Sequence, residues 1–465
     1  MVALNERKIA IVRTLVESAP DRVVGRLQEA LVETAGDSAL AGVRKLVEAE
    51  AKDRRLRNAI LQPIAPMCVG DGVSDRRLIF PARALGCLWH GLKNLAPDVI
   101  VAAETAMAEV TEESPQRVIE TMNRSFDVLT RLAASALRAK EQRDFFTAAE
   151  LCDRARPGGA DMLAGCLELA SVVRKASARL PDWIGHSGDD TAAAARLAYK
   201  DAVAMAEDAG PRFFEMVAAQ LSPHWMVLRV ISAVMDKPTE RYMADSEVGG
   251  FGEGVMSEVD EALETIGKLD VEAGPAAGRA AGKLVELISL QTAELEACIE
   301  LSRDHGWGRR IVNQRKALAN VVEGRLREAE KLAAAALPTE MASKQRMRRK
   351  LPSLEAPPED RAVTRAKTLL AFTEEIRSSA NYAGFSAAHA KTLENLGAML
   401  DHYVEDVLDH VKTGDAPDVG IAAAFLAIAA DFCELVRDEK AGALVRRRAA
   451  VACQGEGSTH QPRAG

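Results

Sequence analysis

Apolar residues along this chain recur at helical rather than strand spacing. Between Ile311 and Leu337 they fall at Ile311, Leu318, Val322, Leu326, Ala329 and Leu332, with Arg315, Lys316, Glu323, Arg327, Glu328 and Lys331 filling much of the other face. A stripe of that period is the core-facing side of one long helix. From Leu393 the stripe narrows to Leu393, Leu396, Leu400, Tyr403 and Val407, alternately three and four apart. Such a coiled-coil-like seam needs a partner, within the chain or in a second copy. No stretch of useful length alternates as a half-buried strand does. The one short candidate, LIF ending at Phe80, reads as the entry to a helix.

Helix starts are marked by proline: Pro20 before Asp21, Pro97 before Asp98, Pro115, and Pro358 before Glu359 and Asp360. Proline lacks only an N–H that the first turn leaves unpaired, and carboxylates there meet the positive end of the helix dipole. The marks are irregularly spaced, and neither a tetratricopeptide nor an ankyrin consensus appears. The clearest change of composition comes where Lys344, Arg346, Arg348, Arg349 and Lys350 give way to Pro352, Pro357 and Pro358, a pattern that predicts a semi-rigid connector.

The predicted organisation is a helical unit over 1–110, a central long-helix array over 111–351, the Pro-rich connector 352–358 and a second helical unit over 359–453. Residues 454–465 carry no apolar pattern and are expected to be disordered. The fold class is all-α, an elongated array of antiparallel helical hairpins and bundles in the manner of an irregular α-solenoid, with no substantial β-sheet.

Composition supports the helical reading. Apolar residues make up 48% of the chain but aromatics only 4%, so the core material is mostly alanine, leucine and valine, of which the first two are strong helix formers. A formal charge of −8 argues against a surface adapted throughout to nucleic acid or anionic lipid. Seven scattered cysteines without a C-x-x-C pair read as reduced, buried side chains of a cytoplasmic protein. The first residues interleave charge with apolar positions, unlike a signal peptide. The run Ile421 to Ala430, between Asp418 and Asp431, is about half of what a bilayer span needs.

Candidate chemistry is sparse. The stretch SEVGGFGEGVMSEVDEAL, from Ser246, holds Gly249, Gly250, Gly252 and Gly254 around Phe251. Its spacing fits neither a dinucleotide fingerprint nor a P-loop, and Glu247, Glu253, Glu258 and Asp260 would repel phosphate. It reads as a hinge or tight bend between helices. GHSGD, from Gly185, departs from the nucleophile-elbow pattern at Asp189 and reads as a turn.

His402, Asp406 and His410 are each four residues apart and are the metal-ligand candidates. Converging them on one ion would need ligands from another helix. RDHGWGRR places Trp307 beside Arg309 and Arg310, which suits stacking on a base or docking into a partner, against plugging the end of a helical hairpin. Lys344, Arg348 and Arg349 belong to the basic cluster, a candidate for phosphate or an acidic surface.

The expected function is that of a non-catalytic cytoplasmic adaptor or scaffold for protein partners, self-associating through Leu393, Leu396, Leu400, Tyr403 and Val407, with no cofactor. One alternative is a nucleic-acid or acidic-surface regulator using Arg309, Arg310 and the basic cluster. A second is a metal-dependent helical enzyme using His402, Asp406 and His410.

Overall fold

Helices begin where the proline marks fall. Asp21 opens a helix directly after Pro20, Pro97 is the first residue of another, Pro115 immediately precedes a third, and Asp360 starts a fourth two residues after Pro358. The computed structural model describes residues 6–33, 40–111, 113–185, 188–206, 208–341 and 350–454. Among these the fold is all-α, with twenty helices and one short antiparallel ribbon. The chain packs as two units, Met1–Lys237 and Pro238–Gly465.

The first unit holds α1 (Glu6–Ser18), α2 (Asp21–Glu33), α3 (Ala41–Ile60), α4 (Ala82–Leu95), α5 (Pro97–Glu109) and α6 (Gln116–Ala139). It continues through α7 (Gln142–Ala155), α8 (Gly159–Ser177), α9 (Leu180–Gly185), α10 (Asp189–Val203), α11 (Ala209–Ala219) and α12 (Val227–Met235). α6 packs on α8, α4 on α7, and α1 and α2 on α3. LIF is not helical throughout, since Phe80 makes an isolated bridge to Cys68 before α4 begins.

The second unit holds α13 (Glu240–Ala244), α14 (Gly249–Gly267), α15 (Pro275–Cys298) and α16 (Gly306–Ala336). After the ribbon strands β1 (Thr339–Met341) and β2 (Lys350–Pro352) come α17 (Asp360–Glu375), α18 (Ser386–Thr413), α19 (Val419–Val436) and α20 (Glu439–Gln454). The expected boundaries at 110 and 351 both fall inside units, and the break in packing comes at Lys237 and Pro238. The reason lies in α16 and α17, which flank the ribbon and pack on each other. Pro352 pairs with Thr339, and residues 353–359 run without helix or strand to α17. The basic cluster at 342–349 and the tail from 455 lie outside the described residues.

The four glycines of SEVGGFGEGV are not a hinge. All lie within α14 without a positive φ, and two of them are there for clearance. A methyl at Gly252 would sit 2.5 Å from the Trp307 ring, and one at Gly249 would sit 2.5 Å from the Met243 carbonyl oxygen. The same economy sets α15 against α17. A methyl at Gly278 would lie 1.9 Å from the Thr368 carbonyl oxygen, and one at Gly282 would lie 2.5 Å from Glu375 Cβ. The two backbones therefore approach more closely than any side chain allows.

Arginines close many of the helix ends. The last carbonyls of a helix have no partner within it and need donors from elsewhere. Arg54 of α3 donates to Val16 O at 2.9 Å, Glu17 O at 3.0 Å and Ala19 O at 2.7 Å, so it closes α1. Arg174 of α8 donates to Ala59 O at 2.7 Å and Ile60 O at 2.8 Å, closing α3. In the second unit Arg325 reaches Gly267 O at 2.7 Å at the end of α14, and Arg377 reaches Val436 O at 2.8 Å at the end of α19. A planar fork of N–H donors suits adjacent carbonyls, and its charge complements the negative end of the helix.

α19 is long and apolar enough by length and composition to cross a bilayer. Here Ala422, Phe425, Leu426, Ala429, Ala430, Phe432, Cys433 and Val436 are buried in the core of the second unit. Asp431, on the same helix, pairs with Lys367 and Arg446, each at 2.7 Å.

His389 is buried on α18 and donates through Nε2 to Thr373 O at 2.9 Å. Burial lowers its pKa below the ordinary histidine value. The unfolded chain therefore takes up a proton at a pH where the folded one does not, and stability is lost as pH falls through that window. Unfolding measured in urea from neutral to mildly acidic pH should show this decline, and a His389→Gln variant should flatten it. An unchanged slope would remove His389 as its source.

Candidate partner-docking groove

Most of the narrow stripe of α18 packs inside its own unit. Leu396, Leu400, Tyr403 and Val407 are buried in the chain's own core with Phe425, Leu426 and Ala429 of α19, and Leu393 packs against the edge of that core. The seam's partners are α16 and α19. The surface expected to drive self-association is thus spent on internal packing.

Trp307 is 6% exposed and is not a stacking platform. Its Nε1 donates to Glu253 Oε1 at 2.5 Å while its ring lies over Gly252. Arg310 bonds Glu253 and Asp260, each at 2.7 Å, and Gln314 donates to Asp260 at 2.7 Å. Of the carboxylates that argued against phosphate, Glu253 and Asp260 therefore have local cationic and amide partners. Arg309 is exposed, whereas Lys344, Arg348 and Arg349 lie outside the described residues.

His402 and His410 turn back on their own helix. Nδ1 of each donates to the carbonyl four residues earlier, Ala398 O and Asp406 O, both at 2.6 Å. Asp406 contributes that backbone oxygen, and among the described residues no group of three His, Cys, Asp or Glu side chains could hold a metal. Ser187 and His186 of GHSGD lie outside the described residues.

A groove of about 890 Å³ lies between the last turns of α18 and the face of α20. It forms because α18 stops at Gly414, which takes a left-handed φ of 73° that suits glycine. α20 then runs alongside with Leu444, Arg447, Arg448, Val451 and Ala452 at helical spacing. Leu408 and Val411 are buried and make the apolar floor. Leu444 at 51% exposure and Val451 at 75% are left facing solvent beside it.

Lys412, Arg447 and Arg448 line this groove, and no carboxylate is among its lining residues. Arg448 is bidentate to Glu405, at 2.6 and 2.7 Å, and that hydrogen bonding holds the Glu405 carboxyl below its ordinary pKa. Arg447 bonds only its own helix, at Ala443 O, and neither it nor Lys412 has a carboxylate partner within ion-pair distance among the described residues. An exposed apolar strip beside two cations that are in no ion pair can receive an apolar surface flanked by acidic groups.

The groove residues were missed in the sequence reading because EKAGALVRRRAAVACQ resembles any amphipathic core helix. The available signal was Leu444 and Val451, seven residues apart on the arginine-bearing side. Comparison of the chain with protein-family models, curated proteins and solved structures returns no match.

Proposed function

We propose that this protein is a helical adaptor whose α18–α20 groove docks an amphipathic helix of a protein partner, with apolar anchors on its inner face and Asp or Glu along its flanks. The observation carrying the reading is the coincidence of exposed Leu444 and Val451 with Lys412 and Arg447 at one groove. Helix-in-groove recognition uses anchors at i, i+3 or i+4 and i+7, and the charged rim selects and orients them. Buried thiols such as Cys68 and Cys152, pushed up to about 12 by burial, are in keeping with the cytoplasmic setting proposed here.

The test uses a fluorescent helical peptide carrying leucines at i, i+4 and i+7 with glutamate flanks, and a twin with lysine flanks. Anisotropy should show binding of the glutamate peptide alone, weakened by salt. Val451→Glu should reduce its affinity by at least about tenfold, or about 1.4 kcal/mol, with little effect on the fold because the side chain is exposed. Equal binding of the two peptides, or of neither, would remove this reading.

A further inference from the structure

The turn before α16 assembles three groups from two distant segments. Glu240, on α13, is mostly buried, and its Oε2 accepts from Ser302 N at 3.0 Å and Gly308 N at 3.2 Å. Its Oε1 faces His305 Nδ1 at 3.4 Å, and the other ring nitrogen, Nε2, lies 3.3 Å from Ser302 Oγ. Two main-chain donors thus fix the carboxylate, the carboxylate orients the imidazole, and the imidazole meets a hydroxyl. With the proton on Nδ1 directed at Glu240, the Nε2 lone pair accepts from Ser302 Oγ–H. This is the order nucleophile, base, orienting group.

Glycines make the arrangement sterically feasible. A methyl on Gly306, whose φ is +58°, would sit 2.1 Å from Glu240 Oε1, and a methyl on Gly308 would sit 1.6 Å from the Ser302 carbonyl oxygen. The polypeptide is anchored on the other side as well, where Glu240 N donates to Glu300 O and Glu300 N donates to Pro238 O, both at 2.9 Å. The opening turn of α16, the positive end of a 31-residue helix, follows His305 directly and helps hold the Glu240 carboxylate in place through Gly308 N.

We infer that Ser302, His305 and Glu240 form an acyl-transfer site, independent of the docking groove, that acts on small unhindered esters. Ser302 Oγ attacks the ester carbonyl carbon as its proton passes to His305 Nε2. The C–O bond to the alcohol breaks, the alcohol leaves with that proton, and an acyl-Ser302 ester remains. Water then attacks the acyl carbon, gives a proton to His305 Nε2, and releases the carboxylic acid as the proton returns to Ser302 Oγ. Ser302 and His305 are the catalytic residues and Glu240 is a positioning residue. His305 has a side chain 78% exposed, so the acyl group arrives from open solvent and selectivity for large substrates is not expected.

The experiment treats the full chain with a fluorophosphonate reporter, in which the Ser302 Oγ–P bond forms as the P–F bond breaks and fluoride leaves. Mass spectrometry should place the label on Ser302. Labelling should vanish in Ser302→Ala, fall at least about tenfold in His305→Gln, and shift in pH dependence in Glu240→Gln, whose amide oxygen can still accept the two main-chain bonds. Thermal unfolding confirms that each variant is folded, and release of nitrophenol from p-nitrophenyl acetate provides an independent rate. An unlabelled Ser302 in folded wild type, or labelling indifferent to His305, would overturn the assignment.

Discussion

Exchanging Gly278 for alanine should lower the stability of the second unit by about 3 kcal/mol, while the same exchange at Gly324 should raise it by about 0.5–1 kcal/mol. Both glycines are helical, so intrinsic propensity favours alanine equally at each. The difference lies in what a methyl meets. At Gly324 nothing stands within 4 Å, whereas at Gly278 the Thr368 carbonyl oxygen is 1.9 Å away and belongs to a backbone that cannot rotate aside. Accommodating the methyl means separating α15 from α17 and loosening Phe372, which is buried in the core they share with α14 and α16. Urea unfolding monitored by circular dichroism, with hydrogen exchange assigning the change to α15 and α17, checks this. Equal effects at the two positions would mean that the close approach is not under strain.

Arg54→Ala should be comparably damaging, at about 3 kcal/mol, because it leaves several main-chain carbonyls and the Glu50 carboxylate without their donor. The guanidinium is 8% exposed and serves five acceptors: the carbonyls of Val16, Glu17 and Ala19, and the carboxylates of Asp21 and Glu50. Its removal strands the end of α1 and leaves Glu50 without its 2.7 Å partner. Arg54→Lys should restore only a minor part, because a single ammonium cannot fork between carbonyls on one side and carboxylates on the other. Hydrogen exchange should show α1 and α2 losing protection while α6 and α8 keep theirs. A lysine variant as stable as wild type would show that charge alone accounts for the contact.

The comparison of these two sites explains what could be read from the chain beforehand. Periodicity is a local signal, and it located the helices, as the stripe Ile311, Leu318, Val322, Leu326 of α16 shows; all four are buried. Proline and acidic first turns located the starts. What a stripe faces is not local. Leu396 to Val407 reads identically whether α19 or a second copy lies opposite, and the apolar length of α19 supplied the answer only in three dimensions. Glycine was legible as glycine but not as clearance, because Gly252 and Trp307 are far apart in sequence and only the ring identifies the reason. For the same reason RDHGWGRR looked like a tryptophan display. Ser302 and His305 stand three residues apart, but Glu240 lies 62 positions upstream of Ser302, so no motif window contains all three.

The arginine-closed helix ends also decide how this chain can be divided. α3 ends on a guanidinium from α8, 114 positions further along the sequence from Ile60, and α14 ends on one from α16. A stacked-repeat protein can be shortened from either end because each repeat is completed by its neighbour. Here completion skips across intervening elements. A fragment ending at 110 would retain α3 but lack Arg174, and would expose two bare carbonyls where the full chain has a seal. The packed helix pairs of each unit are therefore also tied across intervening helices, and a cut in the first unit between α3 and α8 should leave the end of α3 without its donors.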